Sequence, residues 1–126
     1  MPDQTARETL VATLGDDPYE RIEAIRRAGE RKARAEGVYT QMEHERKIVL
    51  AMVASEIEAE ADGHIAENKL DRLAHASDRY RKHIRGLAAA AEERDLAISH
   101  YYALKSEDDW DRAAVAHENV LAKLGE

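Results

Sequence analysis

The chain has 126 residues, a formal charge of −7 and 36% charged side chains, a length that suits one domain. Its hydrophobic fraction of 44% includes 23 alanines and no Phe, which points to long helices rather than a core of bulky side chains. The lack of Cys excludes disulfides and thiolate metal sites, and the acidic balance argues against general nucleic-acid binding.

The opening Met1-Pro2-Asp3-Gln4 is polar and lacks the basic-then-apolar layout of a signal peptide. No apolar run approaches the roughly 20 residues that span a bilayer. A soluble, cytoplasmic protein is expected. Thr5-Ala6-Arg7-Glu8 has capping-box spacing, Leu10, Val11 and Leu14 follow, and Gly15 stops the run, so a short helix is expected over 5–14. Asp17-Pro18-Tyr19-Glu20 is a clearer start, with a capping carboxylate, Pro at the first helical position and an acid near the positive helix end.

A long helix is expected over 18–61, about 65 Å at a rise of 1.5 Å per residue. Its seam reads Ile25, Ala28, Lys32, Ala35, Tyr39, Met42, Arg46, Val49, Val53 and Glu56, with Val38, Ile48, Met52 and Ile57 on the flanks. Spacings of three and four alternate along it, as in a coiled-coil stripe. Gly63 offers a stop, and a connecting helix is expected over 65–76, with Leu70 and Leu73 as contacts. Ser77-Asp78 can cap a second long helix over 78–124, whose seam reads Tyr80, Ile84, Leu87, Ala91, Arg94, Ile98, Tyr101 and Lys105. Ser106-Glu107-Asp108-Asp109 resembles a further cap, a place for a bend near residue 106.

Charge is ordered in blocks. Residues 21–34 and 69–85 are basic, 48–68 hold five acids and no Lys or Arg, and 86–126 are acidic. Folding the chain back about position 69 sets Glu56 against Lys82, Arg46 against Glu92, Arg31 and Lys32 against Glu107 and Asp108, and Arg26 and Arg27 against Asp111 and Arg112. An antiparallel hairpin follows, with the pairs setting register more than stability, since an exposed pair is worth about 0–1 kcal/mol. The fold class expected is all-α, a long antiparallel helical hairpin in a single domain. Its alanine-rich seam removes little apolar surface from water, which predicts a homo-oligomer.

No chemistry of an enzyme emerges. The glycines lack the spacing of a phosphate loop, and none of the six histidines has a Glu three residues before it or belongs to a His-Glu-x-x-His motif. Neighbouring acids such as Glu92-Glu93 and Asp108-Asp109 point to different sides of a helix and read as solvated. No catalytic residue, cofactor or metal is expected.

Two constellations remain. Arg79, Arg81, Lys82 and Arg85, interleaved with Tyr80, suit phosphate contact, although the acidic stretch from Glu56 to Asp62 makes salt bridges the simpler reading. Glu107, Asp108, Asp109 and Asp111 around Trp110 form an acidic helical segment suited to a basic partner, with Trp110 equally suited to an interface or to ordinary packing.

The order of Tyr39-Thr40-Gln41-Met42-Glu43-His44-Glu45-Arg46-Lys47, then Ala74-His75-Ala76-Ser77-Asp78-Arg79-Tyr80, then Tyr101-Tyr102-Ala103-Leu104 resembles small helical proteins of phage and prophage genomes. Over about residues 19–112 it is broadly similar to the UvsY recombination mediators, helical oligomers that bind single-stranded DNA and assist recombinase loading. That resemblance implies a non-enzymatic recombination accessory in a bacterial host cell, with single-stranded DNA and a recombinase as partners and Arg79, Arg81, Lys82 and Arg85 as DNA contacts. The competing expectation is a protein-only module, an inhibitor of a host or defence complex or a structural adaptor, that meets a basic protein through its acidic segment.

Overall fold

A computed structural model describes residues 14–125. It is all-helical, with two long helices packed together: α1 spans Pro18–Glu60, α2 spans Glu67–His75 and α3 spans Asp78–Leu124. The helix expected over 5–14 lies outside the described residues, apart from Leu14.

Local chemistry sets the ends. Asp17 Oδ1 accepts the Tyr19 N–H at 2.9 Å, and the Asp17 carbonyl takes the Arg21 N–H, so α1 starts on a capped turn with Pro18 first. After Glu60 the chain reverses through Gly63, whose φ of 127° would strain any residue with a Cβ. Between α2 and α3, Ser77 Oγ donates to the Ala74 carbonyl at 2.8 Å and accepts the Tyr80 N–H at 3.2 Å. One hydroxyl thus ends the second helix and begins the third. α3 runs as one helix through Ser106-Glu107-Asp108-Asp109.

The molecule divides into two compact units, one of residues 35–94 and one containing the described residues 14–34 and 95–125. In the first, Met42 lies against Gly86, where an added Cβ would stand 3.0 Å from Met42 Cε. The Arg94 guanidinium stacks on Tyr39 at 4.0 Å from the ring centroid, and Arg79 bonds Glu56 at 2.6 Å. In the second, Tyr101 covers Gly29, whose Cβ would meet the ring at 3.3 Å. Leu14, Ala28 and Leu104 form the buried cluster beside it, flanked by Ala24, Ile25 and Tyr101. In both units the partner number on α3 falls as the number on α1 rises, so the helices run antiparallel.

The register differs from the charge-based expectation. Glu56 meets Arg79 instead of Lys82, Asp108 and Asp111 both meet Arg21, and Arg26 pairs with Glu23 and Glu30 on its own helix. Within each unit the facing pairs centre near residues 64–67 rather than position 69, which shifts the partners on α3 by roughly one to two turns at about 3.6 residues each. Close fits of a large side chain over a glycine outweigh exposed ion pairs of about 0–1 kcal/mol.

The α1 seam follows the expected positions, with Ala28, Ala35 and Val53 buried and Glu56 exposed at its end. On α3 the buried line is Tyr80, Ala97, Leu104 and Asp108, so Ala97 and Leu104 stand where Ile98 and Lys105 were expected. Ile84, Leu87, Ala91, Arg94, Ile98 and Tyr101 of the expected seam are half-buried, and Lys105 is exposed. Val38, Ile48 and Met52, expected to flank the seam, are exposed.

Two glycines separate propensity from packing. Gly37→Ala meets nothing within 4 Å and is expected to raise stability by about 0.5–1 kcal/mol. Gly29→Val is expected to lower it, because the new side chain enters the Tyr101 ring. Thermal unfolding of both variants checks the pair.

Candidate functional site

The basic side chains expected to contact phosphate sit on the first two turns of α3. Arg79, Arg81, Lys82 and Arg85 are all exposed, and Tyr80 among them is buried edge-on to His75, 5.1 Å between centroids. Arg79 is engaged by Glu56. Arg81, Lys82 and Arg85 share the outer side of the helix and make no ion pair with the described residues. Salt bridging to the acidic stretch therefore accounts for Arg79 alone. Arg81 also borders a shallow hollow with Asp71, Arg72 and His75.

The acidic segment is divided by the fold. Asp108 is buried and accepts from Arg21 at 3.0 Å and from Arg112 at 3.0 Å, while Asp111 takes the same Arg21 at 2.8 Å. These two carboxylates hold the Arg21 guanidinium further above its ordinary pKa, Asp111 contributing most through its hydrogen bond. Glu107 accepts the Leu14 N–H at 3.1 Å, which ties the entering chain to α3. Asp109 and Trp110 face solvent, Trp110 with 76% exposure. Three of the four acids thus serve the chain itself, and Asp109 and Trp110 do not.

Arg21 is the residue that sequence reasoning missed. It was counted in a basic block, and its signal was the pair of acids Asp108 and Asp111, which three-residue spacing sets on adjoining parts of one helix face. Beside this ion cluster a groove of about 690 Å³ opens, walled by Pro18, Ile22 and Val115. From residue 109 to 124 every residue of α3 is exposed, including Val115, Val120, Leu121 and Leu124.

The histidines are scattered. His83 Nε2 lies 2.9 Å from the Met42 carbonyl, His75 Nδ1 lies 2.8 Å from the Asp71 carbonyl, and His64 is 3.9 Å from Glu58. No cluster of three or more metal-ligating side chains occurs among the described residues, and none of their helices is long and apolar enough to cross a membrane. His100 Nδ1 is buried with no hydrogen-bond partner among them, in a cleft of about 450 Å³ that also holds Glu20, Arg27 and Arg31. Burial, and then the charge of Arg31, lower its pKa below the usual 6.5.

A depressed histidine favours the neutral ring in the folded state, so the unfolded chain binds the proton first. Stability is expected to be full above pH 6.5 and to fall as the pH drops below that value. His100→Gln should flatten this part of the profile, as read from urea midpoints across pH 5–8.

No protein-family model, curated protein or solved structure matches this chain.

Proposed function

We propose that the protein is a non-catalytic helical interaction module that presents residues 109–124 of α3 to a partner protein. One observation carries this reading: the segment is a formed helix whose large apolar side chains, Trp110, Val115, Val120, Leu121 and Leu124, are each more than half exposed. Single exposed apolar residues are ordinary, whereas a contiguous set marks a surface for association. Asp108 just before the segment and Asp111 in its first turn, both tied to Arg21, hold its root against α1. A structural adaptor and an inhibitor of a host or defence complex both fit this class.

A second reading, the recombination accessory of the resemblance, is favoured by Arg81, Lys82 and Arg85. Their exposure without ion-pair partners among the described residues leaves them available to phosphates. In that reading a homo-oligomer repeats the three cations around a bound single strand, and a recombinase docks elsewhere.

Two measurements separate the readings. Affinity capture from a lysate of the native cell should return a partner with the full chain and lose it with Leu121→Glu/Leu124→Glu. Capture indifferent to those changes overturns the first reading. For the second, retention of labelled single-stranded DNA at low salt should weaken steeply as salt rises, and replacing Arg81, Lys82 and Arg85 by Ala should reduce the logarithmic slope by about 2.

A further inference from the structure

We propose that the exposed stripe of Trp110, Ala114, His117, Leu121 and Leu124 docks an amphipathic helix of a partner protein that carries Lys or Arg beside its own apolar stripe. This rests on the reading of α3 as the docking element and adds the chemistry of what docks there.

The five positions alternate spacings of four and three, so they share one face of α3. Trp110, Leu121 and Leu124 are exposed to 76%, 54% and 79%, and Ala114 and His117 are exposed as well. Arg112, Asn119 and Lys123 occupy the opposite face. The stripe is thus continuous, backed by polar groups on the far side and borne on a helix already formed, the features by which one amphipathic helix receives another.

The border of the stripe decides the partner's charge. Glu107, Asp111 and Glu118 run along one edge. Glu107 accepts the Leu14 N–H, Glu118 is exposed, and the Asp111 side chain remains 52% exposed although Arg21 touches it. Carboxylates beside an apolar contact select Lys or Arg on the facing helix, through complementarity that fixes partner choice more than raw affinity. A second copy meets this requirement poorly. Paired antiparallel, the two stripes bring the acidic edge of one against the acidic edge of the other, and like charges so placed are unfavourable. Paired parallel, they set those acids against Ala113 and Val120, which offer no cation.

Trp110 is the only tryptophan, so its emission reports on this stripe alone. The probe is a synthetic helical peptide with a Leu stripe bordered by Lys, compared with a matched peptide bordered by Glu. Both are titrated into the full chain at a concentration where sedimentation finds a monomer. The Leu/Lys peptide is expected to move the emission to shorter wavelength and saturate, with the Leu/Glu peptide at least about tenfold weaker. Leu121→Glu/Leu124→Glu should weaken Leu/Lys binding by a similar factor with helical circular dichroism retained, and Arg81→Ala/Arg85→Ala should leave it unchanged.

Equal binding of the two peptides, or no shift with either, overturns the proposal. So does a shift that follows protein concentration without peptide, which assigns the stripe to a second copy. Short-wavelength emission at the lowest concentration also overturns it, because the stripe is then covered within the chain. If the peptides fail while stripe-dependent capture from lysate persists, the interaction module stands and the basic-helix assignment falls.

Discussion

Close approach of α1 and α3 at glycine is the constraint on which each unit depends. Gly29 admits the Tyr101 ring, and Gly86 admits the end of Met42. A helix with few large apolar residues gains contact only where the backbones come near, and these two positions let a large side chain lie directly on a neighbouring helix. Ala28 and Ala97 in one unit and Ala35 in the other are each at least nine-tenths buried. The result is a thin seam with a defined register.

Polar groups inside that seam sharpen the register. Arg94 over Tyr39 uses the flat guanidinium against an aromatic face, a contact for which Lys is a poor substitute. The Tyr80 hydroxyl, with Glu43 behind it, holds the Arg46 guanidinium above its ordinary pKa. Asp108 gathers Arg21 and Arg112 at the other unit's margin. Sliding α3 by one turn would separate each of these partners and leave half-buried charges unmatched, which disfavours the alternative alignments an alanine-rich seam would otherwise tolerate.

Much of this was legible in the residues. The start at Asp17-Pro18, the stop at Gly63, the Ser77 junction and the α1 seam all follow from capping chemistry and periodicity, which act over a few neighbouring residues. The pairing of α1 with α3 was not. Charge blocks gave the antiparallel direction but a register about one to two turns away, because the fit of Tyr101 over Gly29 depends on three-dimensional approach, to which charge order is blind. The α3 seam was ambiguous for a related reason. Ile84, Ala91 and Ile98 are half-buried beside the buried Ala97 and Leu104, and apolarity alone does not rank them. At the candidate site, the sequence suits Trp110 equally to packing and to exposure, and the division of the acids between Arg21 and solvent depends on a partner more than 80 residues away.

The end of α3 has a further physical consequence. From residue 109 to 124 every side chain of α3 is exposed, and an isolated helix of about 12–15 residues is marginal in water. Ala113, Ala114, Ala116 and Ala122 oppose that tendency, since Ala loses no side-chain rotamer freedom on entering a helix. The formed helix is thus sustained by alanine propensity and by its anchors at one end, Asp108 and Asp111. Its affinity for anything that covers it is tied to its own helicity, so an alanine-to-glycine change on its uncontacted face would weaken association through chain entropy alone.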